Sequence, residues 1–167
     1  MPSRNDRIQE AYDRAYRYEA EIGSCPQCVL AALHETLGIG NPQIIQAADG
    51  LAGGTGLSTQ GTCGALVGGL LALGSLVGRS YEDFSAGGKN RRIFHFSKLL
   101  VDRFVQEYGS ILCCDLHQKL FGRTFDLLDA AEYQAFDNAG AHVDKCTSVS
   151  GNVAKWTAEI VLGHNLI

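Results

Sequence analysis

The stretch GLAGGTGLSTQGTCGALVGGLLALGSLVG, residues 50–78, holds half of the glycines in the chain, surrounds Cys63 and carries no charge. Its second half has the spacing of a helix with one face of small side chains and another of larger apolar side chains. The small residues are Gly64, Gly68, Ala72 and Ser75, and the larger ones are Leu66, Leu70, Leu73 and Val77. Because glycine costs about 1 kcal/mol relative to alanine inside a helix, this composition predicts compensation by close packing against another helix or a bound group.

The rest of the chain has the pattern of further helices around this one. Apolar residues recur at helical spacing, and no segment shows the sustained alternation of a half-buried strand. We therefore expect an all-α fold, a compact multihelical single domain over residues 1–167 with the Gly/Ala-rich helix at its centre. Residues 1–22 would form an N-terminal amphipathic helix, and residues 25–163 the cysteine-bearing helical core. The apolar run from Ala65 to Val77 is shorter than the about 20 residues of a transmembrane helix, so no membrane span is expected.

Charge and composition exclude some classes of partner. The formal net charge is -4, and Lys89, Arg91 and Arg92 form no long basic block, which argues against nucleic acid as a partner. The charged N-terminus lacks the apolar core of a signal peptide, so we expect a cytoplasmic protein. In that reducing compartment the six cysteines are expected to be ligands or redox groups rather than structural disulfides.

All six cysteines lie where the sequence predicts the beginning of a helix. The expected capping residues are Ser24 for Cys25 and Cys28, Thr62 for Cys63, Ser110 for Cys113 and Cys114, and Thr147, Ser148 or Ser150 just after Cys146. The free amides and partial positive charge of a helix N-terminus stabilise a thiolate, which is the form that binds metals and attacks disulfides. This placement therefore favours ionised sulfur.

The first functional hypothesis involves only Cys25 and Cys28. Cys25-Pro-Gln-Cys28 at the head of a helix resembles a dithiol motif, which would make the protein a thiol–disulfide oxidoreductase. No βαβ pattern surrounds the motif, so a thioredoxin fold is not expected. Covalent c-type haem is excluded at Cys28, because Val29 stands where that motif requires histidine.

The second arrangement brings four separate helix beginnings to one pocket, with Cys28, Cys63, Cys113 and Cys146 as thiolate ligands. Such a set suits an iron–sulfur cluster or zinc, and zinc would make the protein a structural or interaction module. His117 lies three residues after Cys114, on the same face of a helix, which makes these two the additional candidate ligands.

At these cysteines the chain resembles the redox-active family named C_GCAxxG_C_C for its cysteine and glycine pattern. The matching segments are Cys28-Val-Leu-Ala-Ala-Leu, Cys63-Gly-Ala-Leu-Val-Gly-Gly, Tyr108-Gly-Ser-Ile-Leu-Cys113, and Cys146 before the last helix. The family label writes Gly-Cys-Ala where this chain reads Cys63-Gly64-Ala65, and Cys25 and Cys114 are additions to the pattern. The resemblance implies a helical domain with redox work at the cysteines, and a likeness to the non-haem part of split-Soret cytochromes, where an iron–sulfur site is expected.

The functional expectation is therefore a redox protein, either an oxidoreductase or an electron-transfer protein, that works with a redox partner protein. The amphipathic N-terminal helix and the common symmetry of soluble proteins further suggest a homodimer.

Overall fold

The computed structural model describes residues 2–167 and confirms the all-α fold. The helices are α1 (Arg4–Glu21), α2 (Cys25–Leu37), α3 (Pro42–Ala47), α4 (Gly64–Val77), α5 (Tyr81–Ser85), α6 (Arg92–Tyr108), α7 (Cys113–Phe121), α8 (Ala130–Asn138) and α9 (Cys146–Gly163). A short 3₁₀ turn, Asp49–Leu51, and a π-helical segment, Ala141–Lys145, complete the elements. Within the described residues the extended structure is limited to an isolated antiparallel bridge between Thr62 and Leu112.

The glycine-rich helix α4 packs against α2, α6 and α9. A Cβ atom on Gly68 would lie 2.6 Å from the Pro26 carbonyl oxygen of α2, and one on Gly69 would lie 2.8 Å from Thr157 Oγ1 of α9. A Cβ at Gly68 would force α2 and α4 apart, because its nearest neighbour is a backbone atom, whereas a Cβ at Gly69 would displace the side chains around it. The close helix packing predicted from the small face is therefore present at Gly68 against α2, and Gly69 adds a close approach to α9 that the predicted face did not include.

Helix α9 shares the centre of the molecule with α4. It packs against α1, α2, α4 and α6, and most of its residues are buried. Helix α1 packs against it, and Ile8, Ala11 and Ala15 of α1 are buried. Gly151 of α9 leaves room for the ring of Tyr12, whose Cε2 atom would be 2.8 Å from a Cβ at this position. The N-terminal amphipathic helix is thus part of the packed core.

The helix starts differ in detail from the sequence predictions. Asn41 caps α3 through a hydrogen bond from the Ile44 amide to its Oδ1 atom, at 2.9 Å. Ser24, by contrast, has a left-handed backbone (φ 62°) and makes no side-chain capping bond, so the predicted cap is wrong. Its hydroxyl instead donates to Asp49 Oδ1 at 2.9 Å. The N-cap of α4 is Cys63 rather than Thr62, and it has no side-chain cap.

None of the helices formed by the described residues is both long enough and apolar enough to cross a membrane.

Candidate functional site: a cavity lined by cysteines

A cavity with a volume of about 80 Å³ lies beside the N-terminal end of α4. Helices α1, α2, α4, α7, α8 and α9 and the glycine-rich loop before α4 all contribute to its wall. Cysteines from four helix beginnings line it, namely Cys25, Cys63, Cys113 and Cys146. A cavity needs about 10–15 Å³ to hold one water molecule, so this cavity has room for a group larger than a single water.

Backbone hydrogen bonds between the loop before α4 and the start of α7 bring Cys63 and Cys113 to the same cavity. The Cys63 amide donates to the Ile111 carbonyl at 2.8 Å, and the Cys113 amide donates to the Gly61 carbonyl at 3.0 Å. Gly54, with φ +72°, approaches so closely that a Cβ there would lie 2.7 Å from Cys113 Cβ. Glycine in this loop is therefore required by the path of the backbone around the cysteines.

The structure separates the two cysteines of the Cys-Pro-Gln-Cys motif. Cys25 lines the cavity and packs on Gly64, where a Cβ atom would overlap its sulfur. Cys28 lines a different surface groove, and its thiol donates to the Gly23 carbonyl at 2.9 Å. The structure therefore brings Cys63, Cys113 and Cys146 together, as the sequence suggested, but it adds Cys25 to them where Cys28 was expected. The motif itself could not show which of the two sulfurs points inward.

Cys146 reaches the cavity from the start of α9, but this start is not a free helix terminus. The π-helical segment Ala141–Lys145 leads directly into it, and the Cys146 amide donates to the Ala141 carbonyl. His142 of this segment also lines the cavity, and its Nδ1 atom lies 2.8 Å from Asp137 Oδ1. The expectation that Cys146 lies before a separately capped helix is therefore wrong, because the helix continues from the π turn.

Burial, rather than helix position, dominates the acidity of these thiols. It raises the pKa of Cys63 to about 11, although the backbone amides of Ala65 and Leu66 at the start of α4 act to lower it. Burial likewise raises the pKa of Cys113 to about 12 and raises those of Cys25 and Cys146 well above their ordinary value. Neighbouring thiols and Glu19 act in the same direction at Cys25 and Cys146. The cavity without a bound group therefore holds neutral thiols.

His117 lies one helical turn after Cys113 on α7 and is 2% exposed. Its Nε2 atom is 3.7 Å from the Cys113 sulfur, so it pairs with this cysteine rather than with Cys114, the predicted neighbour. Burial lowers the pKa of His117 to about 4. A neutral imidazole beside a neutral thiol is not the ion pair of a cysteine nucleophile, so the pair does not resemble an activated catalytic dyad. Cys114 is partly exposed and does not belong to the cavity wall.

Glu19 is a cavity residue that sequence reasoning missed. It is 5% exposed, and it accepts a hydrogen bond of 3.1 Å from Ser150 Oγ. Burial, its largest influence, raises its pKa, while Cys28, His142 and Ser150 act to lower it. Its position four residues after Ala15, on the buried stripe of α1, was the signal that could have identified it.

The spacing of the potential ligand side chains bears on whether they could bind a single metal ion. Among residues 2–167, no set of three or more His, Cys, Asp or Glu side chains is grouped closely enough to hold one metal ion. The four cysteines thus line one cavity without being grouped as the ligands of a single ion.

Comparison with known proteins gives a family match. The family described as "Putative redox-active protein (C_GCAxxG_C_C)" matches residues 24–160, a range that contains every cysteine of the chain but not Glu19. The chain matches no curated protein and no solved structure.

Proposed function

Because the chain belongs to the C_GCAxxG_C_C family of redox-active proteins, we propose that it transfers electrons or senses redox state through an iron–sulfur cluster in the cysteine cavity. The observation that carries the proposal is that four thiols from four separate segments of the chain line one cavity. The proposed ligands are Cys25, Cys63, Cys113 and Cys146. Cys25 replaces Cys28 in the set expected from the sequence, because the Cys28 sulfur lies outside the cavity wall.

The donor set and its spacing support a cluster over zinc. Thiolates are soft ligands that suit both iron–sulfur clusters and zinc. A tetrahedral zinc with bonds of about 2.3 Å would hold its four sulfurs about 3.8 Å apart. The cysteines of the described chain are not grouped for one ion, whereas an iron–sulfur cluster distributes its four cysteine ligands over two or more iron atoms.

The surroundings of the cavity support a redox role. When bound, the cluster would supply a one-electron centre, and the protein would supply the ligands, the low dielectric and the exclusion of water. Since burial keeps the free thiols neutral, ligation must release protons, and assembly is expected to be favoured at higher pH.

The dithiol alternative receives less support from the structure. Cys25 lines the cavity, whereas Cys28 lines a separate surface groove. The pKa of each thiol is raised by burial, which disfavours the thiolate needed to attack a disulfide.

Metal and sulfide analysis of the full chain after anaerobic reconstitution with iron and sulfide tests the proposal. We expect iron and acid-labile sulfide bound together, with visible thiolate-to-iron charge-transfer absorbance. A colourless protein that takes up stoichiometric zinc and no iron would instead support the zinc module. A reversible Cys25–Cys28 disulfide in a metal-free protein, detected by mass spectrometry, would support the oxidoreductase.

A further inference from the structure

The imidazole of His117 has one nitrogen with a partner and one without. Nε2 lies 3.7 Å from the Cys113 sulfur, while Nδ1 is fully buried and has no hydrogen-bond partner. Three phenylalanine rings enclose the imidazole, with centroid distances of 5.5 Å to Phe121, 5.9 Å to Phe125 and 5.1 Å to Phe136. A buried polar atom without a partner costs free energy, so the arrangement needs an explanation.

The explanation lies in which nitrogen carries the proton. A neutral imidazole has one N–H donor and one acceptor lone pair. If the proton were on Nδ1, a buried N–H would point at hydrocarbon without an acceptor, which is rare in proteins. If it is on Nε2, the N–H meets the Cys113 sulfur and only a lone pair is left unpaired, which proteins tolerate better.

We propose that His117 is held as the Nε2–H tautomer and donates a hydrogen bond to the sulfur of Cys113. The phenylalanine cage fixes the ring plane, and the one-turn spacing on α7 fixes the distance between the two side chains. His117 is thus a positioning residue for Cys113, whose sulfur accepts the hydrogen bond from Nε2–H.

This assignment gains a functional meaning that rests on the proposed cluster. If Cys113 is a ligand, the hydrogen bond from His117 withdraws electron density from its thiolate. Such bonds to ligand sulfurs favour the more electron-rich, reduced state and raise the reduction potential. Of the proposed ligands, Cys113 is the one whose sulfur has a side-chain nitrogen beside it among the described hydrogen bonds.

Nitrogen NMR of the full-length, reduced, metal-free protein tests the tautomer directly. We expect the His117 ring to show a protonated Nε2 and an unprotonated Nδ1 at neutral pH. His117→Gln, which can place an amide donor near the Nε2 position, should keep the Cys113 thiol signals closer to wild type than His117→Phe does. A protonated Nδ1 would overturn the proposal. This measurement needs no bound group, so it remains decisive even if the proposed function fails.

The reduction potential of the reconstituted protein tests the functional meaning. We expect His117→Phe to move the potential to more negative values, by about 59 mV if the reduction equilibrium changes tenfold for one electron, and His117→Gln to restore part of the shift. Phe125→Leu is the matched control, because it loosens the same cage and leaves the N–H in place. An unchanged potential in His117→Phe, or an equal shift in Phe125→Leu, would refute the assigned role.

Discussion

The substitution Gly68→Ala tests how closely α2 and α4 pack beside the cysteine cavity. Gly68 lies in the interior of α4, and a Cβ there would be 2.6 Å from the Pro26 carbonyl oxygen and 3.0 Å from Val29 Cβ. The nearest of these atoms is backbone, which cannot rotate away. Helix α2, which begins at Cys25, must therefore move away from α4, whose N-cap is Cys63.

Gly74 provides a matched control for the effect of Gly68→Ala on the free energy of unfolding. It lies on the same helix, and a Cβ there would have no neighbour within 4 Å. Gly74→Ala should therefore stabilise the protein by about 0.5–1 kcal/mol through helix propensity alone. Gly68→Ala gains a similar amount but also overpacks the interface, which costs about 1–3 kcal/mol. The difference between the two variants isolates the packing cost.

Urea denaturation of both variants, followed by circular dichroism, measures this difference. We expect Gly68→Ala to unfold at lower urea than Gly74→Ala, with a free energy of unfolding about 1–3 kcal/mol smaller. If Gly68→Ala were as stable as Gly74→Ala, the close approach of α2 and α4 would not exist as described.

Two further predictions concern pH. Burial raises the pKa of Tyr108 to about 12, so the unfolded chain loses this proton first as the pH rises above 10. The free energy of unfolding should therefore fall by at most about 2.7 kcal/mol between pH 10 and 12. Tyr108→Phe should remove this loss. An equal loss in the wild type and in Tyr108→Phe would contradict the burial of the hydroxyl. Burial also raises the pKa of Glu19, so its contribution to stability falls as the pH rises from the ordinary carboxyl range towards neutrality. Glu19→Gln should flatten that part of the stability profile, whereas Glu21→Gln, at an exposed position on α1, should not.

The features of the fold that depend on local pattern were predictable from the sequence. The small face of Gly64, Gly68, Ala72 and Ser75 predicted close helix contacts, and Gly64 and Gly68 make them against α2. The helices around Cys113 and after Cys146 were also predicted, since glycines and apolar spacing mark their extent. In these cases the signal is the spacing of residues within one segment of the chain.

The features that depend on the direction and the burial of side chains could not be predicted from the sequence. Cys25 and Cys28 occupy the same first turn of α2, and only the packing of that helix on α4 turns Cys25 towards the cavity. Ser24 does not cap its helix because its backbone adopts a left-handed conformation, which no local rule indicated. The expectation of ionised thiols was wrong for a similar reason, since burial outweighs the helix terminus.

The most direct test of the central claim replaces each cysteine of the Cys-Pro-Gln-Cys motif in turn with serine. Iron and sulfide content would be measured after identical anaerobic reconstitution of Cys25→Ser, Cys28→Ser and the wild type, with Cys114→Ser as a further control outside the cavity. The cavity geometry predicts that Cys25→Ser loses the bound cluster, whereas Cys28→Ser and Cys114→Ser retain it. Full loading of Cys25→Ser together with an empty Cys28→Ser would contradict the ligand set and the account built on it.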